Sequence, residues 1–486
     1  MIPPSVGGGM SAGAYRELLT TAPGNAFDAD SDTPDLRRLY TPDSHRLALD
    51  PGVTVVRGGR GSGKTVWFKV LSDDRLRKIA AEAYKLPRLN SVITANGFGT
   101  AVGPNSYPGP ATIRRILNSE VEPADIWTAV ILVALNVEQI AMIQGWENKA
   151  VWARNNPEAY EEALWKADQQ ASADHVIQLL LFDGLDHLHS DRTVADQMVS
   201  GLLKAALGLR LATRNIRAKV FIRPDMYESA SRNFADASKL GANAADLTWS
   251  TENLYGLLFH QLGNGERESA VDFRRVTGSW RAEQSERFVP PADVVADSKR
   301  QEEIFVDMAG WYMGANHRKG YTYTWLPNHL QDGNWQVSPR SFLRAVSKAA
   351  EVTRDSFASY ELALHHDAIR QGVQAASQVR VDEIKEDIPW AAVAGGMLRG
   401  QQVPIDATTV VECWREGALA TQLRALHADG SVGSGPKDME DYDGLIQQLV
   451  ELGVMTWRTT GKLDLPDVYR IAFDIGRKGG VRRPVR

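Results

Sequence analysis

The chain has 486 residues, 43% of them hydrophobic and 24% charged, with a formal net charge of −5. That length exceeds one ordinary core and implies two or three domains, and that charge excludes a general polyanion binder while leaving a local basic patch open. The single cysteine, Cys413, excludes an intrachain disulfide framework and a zinc site built on several thiolates; beside Trp414 it reads as a buried core thiol.

Residues 1–45 are mixed and polar and read as an N-terminal extension packed on the domain that follows. It carries a short amphipathic helix at 15–19 and a loop at 28–34. A basic segment followed by an apolar one, the mark of a secretory signal, is not found there, so a cytoplasmic protein is expected. Residues 53–56 are β-branched, follow the turn Asp50-Pro51-Gly52, and read as a buried strand. A glycine-rich loop comes next, then a helix at 64–71 and a second strand at 91–95. Helices are expected at 112–117, 124–143 and 157–171, the last with Asn156 as N-cap and Pro157 in the first turn. The apolar stretch 126–137 is shorter than the ~20 residues of a membrane span and reads as a buried helix.

Residues 176–182 hold one polar residue in seven, as a strand covered on both faces requires. A helix at 194–213 and a strand at 219–223, stopped by Pro224, continue the alternation. The fold class is therefore an α/β core with a mainly parallel sheet, at 46–265. From 266 to 378 a helical lid or insertion is expected: a charged, turn-rich linker or insertion at 264–300, then helices at 301–313, 341–351 and 357–376. Residues 379–486 read as a winged-helix-like domain. Its elements are a helix at 440–452, a hairpin around the turn Thr459-Thr460-Gly461-Lys462, and a last helix at 466–475.

Gly58-Gly59-Arg60-Gly61-Ser62-Gly63-Lys64-Thr65 fits G-x-x-x-x-G-K-[ST] without a mismatch. Glycines let successive backbone N–H groups point at phosphate oxygens, and the helix that starts there adds its positive end. Lys64 is placed for the β- and γ-phosphates and the Thr65 hydroxyl for Mg²⁺. The strand 176–182 runs into Asp183-Gly184-Leu185-Asp186. Asp183 is the candidate for holding the Mg²⁺ shell, and Asp186 the candidate for orienting the attacking water. Arg223 ends the strand 219–223 at the same sheet edge, and Arg340 opens a helix of the lid. Both are candidates for sensing the γ-phosphate, with surface salt bridges as the bland alternative. Arg210, Arg214 and Arg217 are candidate fingers toward a neighbouring subunit.

With these residues the chain resembles the P-loop ATPase branch that contains the AAA+ and STAND proteins. The resemblance rests on Gly58–Thr65, on Leu180-Leu181-Phe182-Asp183-Gly184-Leu185-Asp186, on Phe221-Ile222-Arg223-Pro224-Asp225 and on Ser338-Pro339-Arg340. Asp-Gly-Leu-Asp is closer to the STAND (NACHT-like) pattern than to the adjacent Asp-Glu of AAA+, and Arg223 stands where AAA+ enzymes carry Asn or Thr. The resemblance implies ATP as the nucleotide, Asp183 as the Mg²⁺ acid, and Asp186 as the acid assisting hydrolysis. It also implies a cycle that drives a partner or an assembly, with a role in bacterial anti-phage defence or signalling.

From Val454 onward eight basic residues (Arg458, Lys462, Arg470, Arg477, Lys478, Arg482, Arg483, Arg486) face three acidic ones (Asp464, Asp467, Asp474). This opens the alternative of an ATP-dependent, origin-recognition- or partition-like DNA-binding protein using residues 454–486. The acidic start of the helix at 440–452 favours a protein partner or a homo-oligomer instead. A small-molecule kinase is a third reading, disfavoured by the long helical C-terminus.

Overall fold

A computed structural model of the chain describes all residues except 1–8, 24–33, 102, 104, 120, 233–235, 284–285, 429–434 and 480–486. Its centre is a five-stranded, wholly parallel sheet: β1 (Val55–Arg57), β2 (Val92–Phe98), β3 (Ile177–Phe182), β4 (Ile216–Ile222) and β5 (Ala244–Asp246), in the order β2-β3-β4-β1-β5. Because side chains alternate along a strand, β3 sends Leu180 and Phe182 to one face and Leu179 and Leu181 to the other. The first face is covered by the helices Pro123–Ala134, Trp146–Asn155 and Arg192–Ala212, the second by Lys64–Ser72 and Asp74–Ala83. This two-sided cover is why the strands read as continuous apolar runs.

The order has one consequence for function. β1 lies between β4 and β5, and β3 lies beside β4. The carboxyl ends of β1, β3 and β4 therefore open on one edge, where α/β sheets bind ligands. The turn that feeds β1 is tied underneath. Asp50 accepts from the Gly52 amide at 2.7 Å, and the fully buried Lys219 ammonium donates to the carbonyls of Ala48, Asp50 and Val53 at 2.7, 2.9 and 2.9 Å.

A third buried cluster is helical and continuous. It joins the helix Thr251–Gly263, the helices Ser298–Ala309, Thr322–Leu330, Pro339–Ser356 and His366–Asp387, and the C-terminal elements up to Ile475. The C-terminal part contains the helix Tyr442–Glu451 followed by the antiparallel pair Thr456–Trp457 and Leu463–Asp464, the helix-and-wing arrangement.

Several expectations need correction. The N-terminal helix Ala12–Thr21 does not pack on the α/β core. Leu18 and Leu19 are buried in the helical cluster, and Arg16 donates to the carbonyls of Ala358, Tyr360, Leu362 and Ala363. The helix expected at 124–143 stops at Ala134, because Asn136 takes φ 56° and breaks it before the short helix Glu138–Ala141. Asn156 makes no N-cap bond; its side-chain Nδ2 donates to the Trp152 carbonyl. Of the two readings of 264–300, linker or insertion, the linker falls: the stretch holds the helix Glu268–Thr277, whose Ala270 and Phe273 are fully buried. The segment 357–365 is irregular, and the helix begins at His366 and runs unbroken to Asp387, across residue 378. The last helix is only Asp467–Arg470, and Cys413 is half-buried while its neighbour Trp414 is fully buried. No described helix is long and apolar enough to cross a membrane.

Candidate functional site

β1 ends in the phosphate loop. The Gly58 amide still bonds to the Ile222 carbonyl at 3.0 Å, so the loop leaves the sheet beside β4. Gly61 and Gly63 then take φ of 73° and 101°, values that favour glycine. A Cβ on Gly58 would meet Ser62 Oγ at 2.2 Å. The loop turns directly into the helix Lys64–Ser72, whose first N–H groups face the turn. Lys64 Nζ donates to the Gly58 and Gly59 carbonyls at 2.9 and 3.0 Å, so the ammonium is held over the loop. Burial lowers its pKa, opposed by Asp186 and Asp183.

β3 delivers the acids. Asp183 is buried, its amide bonds to the Phe98 carbonyl at 3.1 Å, and its carboxylate accepts from the Thr65 hydroxyl and the Gly184 amide. Burial raises its pKa, and Lys64 is the main force lowering it. Gly184 takes φ 68° and turns the chain so that Asp186 returns to the edge. There Asp186 lies 3.7 Å from the Arg223 guanidinium. Arg223 follows β4, is buried, and binds Asp225 through two nitrogens at 2.9 and 2.7 Å. Burial works against its charge, but Asp225 and then Asp186 outweigh it and raise its pKa.

The helical cluster closes the site from above. Arg340 opens the helix Pro339–Ser356 and bonds Glu383 at 3.0 Å. Arg60 of the loop pairs with Asp387 and lies 3.7 Å from both Glu383 and Glu386. Arg380 donates to the Arg60 carbonyl at 3.2 Å, and the Trp249 indole donates to the Ser62 carbonyl at 2.8 Å. Together these elements enclose a cavity of about 530 Å³. Arg60, Gly61, Gly63, Lys64, Thr65, Asp183, Asp186, Arg223 and Arg340 all line it. Gly58, Gly59 and Ser62 build the loop behind. That volume lies within the ~300–1,000 Å³ of small-molecule and cofactor clefts.

Sequence reasoning missed one end of the cavity. Leu39, Tyr40, Trp249, Leu257, Gln261 and Leu343 line it. They come from segments about two to three hundred positions apart, and no local motif marks them.

Three other candidates lie elsewhere. Arg210 donates to the Gly52 carbonyl at 2.5 Å, the Arg217 guanidinium donates to the Thr213 and Ile216 carbonyls, and the Arg214 amide donates to Asp168. All three sit at the amino-end edge of the sheet, away from the cavity, because they precede or begin β4. The basic C-terminal segment is largely neutralised within the chain. Arg458 and Arg477 both bond Asp464, at 2.7 and 2.9 Å, Lys462 bonds Asp406 at 2.8 Å, and Arg470 bonds Asp467 at 2.9 Å. Arg482, Arg483 and Arg486 lie outside the described residues.

No protein-family model matches the chain, and no curated protein matches it. Among solved structures it is similar to the Aeropyrum pernix ORC2 protein in its ADPNP–ADP complexes. The identity is 13% and the TM-score 0.40, over 92% of this chain and 95% of that one. The ADP form of the same protein gives 14% identity and a TM-score of 0.32, over 91% and 93%.

Proposed function

We propose that the chain binds a nucleoside triphosphate with Mg²⁺ in this cavity and hydrolyses it to switch its helical unit or an assembly. The observation that carries the reading is a convergence. The phosphate loop, two acids from β3, Arg223 from β4 and Arg340 from the helical unit line one cavity of about 530 Å³.

The residues fit the groups they would hold. The loop's left-handed glycines leave its amides free to converge on phosphate oxygens, and the Ser62 hydroxyl is buried without a partner. The Thr65 hydroxyl and Asp183 carboxylate offer the hard oxygen ligands that Mg²⁺ takes. Bound there, Mg²⁺ would neutralise charge developing on the phosphates. Lys64 would leave the Gly58 and Gly59 carbonyls for the β- and γ-phosphates. Asp186 would orient the attacking water, with Arg223 fixing its position at 3.7 Å. Arg340 would exchange Glu383 for the γ-phosphate, which turns the state of the nucleotide into a movement of the helical unit. ATP as the nucleotide and a protein partner or further copies of this chain as the target follow from the resemblance and belong to the same proposal.

The test is phosphate release from Mg·ATP by wild type, Lys64→Ala and Asp186→Asn, with nucleotide binding measured in parallel. Lys64→Ala should lose binding. Asp186→Asn should bind but turn over on the order of 10²- to 10⁴-fold more slowly. Turnover of Asp186→Asn at the wild-type rate would remove Asp186 from the mechanism. Wild type that binds but never releases phosphate, alone or with duplex DNA, would remove the hydrolase assignment.

A further inference from the structure

We infer that Asp225, clamped in turn by Arg192, is the positioning residue that aims Arg223 at Asp186; the inference rests on reading the cavity as a site of nucleoside triphosphate hydrolysis and goes beyond it in naming what holds its arginine.

A guanidinium is a flat fork of five N–H groups, and what it can still do depends on which edge is already taken. Arg223 gives one edge to Asp225, with Nε at 2.9 Å and Nη2 at 2.7 Å. The nitrogen left over, Nη1, is the one that lies 3.7 Å from Asp186. Arg223 and Asp186 both line the cavity, and Asp225 does not. Asp225 therefore stands behind the arginine and decides which way it faces.

Asp225 is itself held. Arg192 Nη1 donates to Asp225 Oδ2 at 3.1 Å, and Arg192 Nη2 donates to the Asp225 carbonyl at 3.3 Å. The same Oδ2 accepts from Arg223 Nη2, so one oxygen joins two arginines. Arg192 opens the helix Arg192–Ala212 and gives its Nε to Asp196 at 2.9 Å, and Asp196 also accepts from the Ser229 hydroxyl. Every charged side chain in this series is about a tenth exposed or less. Burial works against the Asp225 charge, but Arg223 and then Arg192 outweigh it and hold its pKa below the usual carboxylate range. Charge-assisted bonds in so dry a place fix one another's geometry. A plain local pair between Arg223 and Asp225 would need no third partner. Arg192 comes from 33 positions away and fixes both the carboxylate and the backbone of Asp225.

Among the described residues, Asp225 and Asp186 are the carboxylates that pair with Arg223. With the Asp225 charge removed, the guanidinium should close on Asp186 and tie up the acid that orients the water. A misplacement of about 1 Å costs on the order of 10²-fold in rate.

The discriminating experiment measures Mg·ATP hydrolysis by the full chain as wild type, Asp225→Asn, Arg223→Met and the double variant. ATP affinity by calorimetry and thermal unfolding are measured in parallel. Asp225→Asn keeps the shape and removes the charge. It should lower kcat on the order of tenfold to a hundredfold, with KM and ATP affinity within about threefold of wild type. Once Arg223 is gone Asp225 has nothing to aim, so the double variant should turn over no more slowly than Arg223→Met. A merely structural Asp225 would lower the unfolding temperature and leave kcat of the folded protein unchanged, or would give losses that add. Either result would overturn the inference while leaving the triphosphate site intact. Arg192→Lys keeps the charge but cannot hold Asp225 and Asp196 together, and it should lower kcat by roughly threefold to tenfold. If Asp225→Asn does not fold, an Arg192→Lys kcat equal to wild type overturns the inference. Wild type that binds no ATP, or binds it and never releases phosphate, would instead remove the proposed function, and the positioning role with it.

Discussion

Neutral histidine inside a protein is a liability in acid, and His45 sits at a point where that liability reaches the site. It is fully buried. Its Nδ1 accepts from the Trp67 indole at 3.0 Å, and its Nε2 faces the Thr248 carbonyl at 3.1 Å. Trp67 belongs to the helix that follows the phosphate loop, and Thr248 precedes the Trp249 that holds Ser62. Burial lowers the pKa of His45 from 6.5 to about 4, with the Thr248 bond opposing. The folded protein therefore binds fewer protons than the unfolded chain between pH 6.5 and 4, and stability falls as pH falls through that window. At pH 5 the loss from this one group is about 2 kcal/mol relative to neutral pH. Thermal unfolding of wild type and His45→Gln at pH 7 and pH 5 isolates it. The variant should be less stable at pH 7, and the gap should narrow by about that amount at pH 5. An unchanged gap would mean that His45 does not stay neutral. Nothing near His45 in the sequence marks it. Lys64 and Asp183 were legible because phosphate and Mg²⁺ chemistry demands those residue types at fixed places beside a strand. His45 and Tyr40 gain their contacts only from neighbours some twenty to two hundred and twenty positions away.

At the scale of elements, the loop and the helical unit meet at Gly61. Its φ is 73°, and a Cβ there would lie 2.4 Å from Ser338 Oγ and 3.3 Å from Ser338 Cβ. Ser338 caps the helix Pro339–Ser356 that carries Arg340. Gly61→Ala should therefore cost about 1–2 kcal/mol from the left-handed backbone alone, with a further loss as Ser338 is displaced. Gly59 is the control within the same loop. A Cβ there meets nothing within 4 Å and its φ is not positive, so Gly59→Ala should stay within about 0.5 kcal/mol of wild type. Chemical denaturation of the two variants decides this, and equal losses would mean that the Gly61–Ser338 approach carries no energy. The strands were readable beforehand because a sheet covered on both faces leaves unbroken apolar runs such as 176–182. The helix Glu268–Thr277 was not. It buries Ser269, Ala270, Phe273 and Thr277 among four charged residues, so its apolar stripe is too thin to stand out.

On the scale of the whole molecule, the α/β core and the helical cluster are separately buried bodies that share the cavity. Contacts that cross between them at the loop include Arg60 with Glu383, Glu386 and Asp387, Arg380 with the Arg60 carbonyl, the Trp249 indole with the Ser62 carbonyl, and the Gly61–Ser338 approach. At that junction Arg60, Arg340 and Arg380 all reach the one carboxylate of Glu383. A triphosphate entering the cavity brings a new set of negative oxygens within reach of Arg60 and Arg340. It thus competes with Glu383 while binding both bodies at once. A ligand held only by the native state stabilises it by about 2.7 kcal/mol at a hundred times its dissociation constant. If both bodies hold the nucleotide, that gain is shared by both. Scanning calorimetry with Mg·ATP should then raise the unfolding temperature of the whole protein by a few degrees, whereas Lys64→Ala should show no rise. A wild-type trace in which ATP moves the transition of the α/β core but leaves that of the helical cluster in place would show that Arg340 does not engage the nucleotide. The chain would then bind ATP without transmitting it, and the switch would have to be sought outside the helical unit.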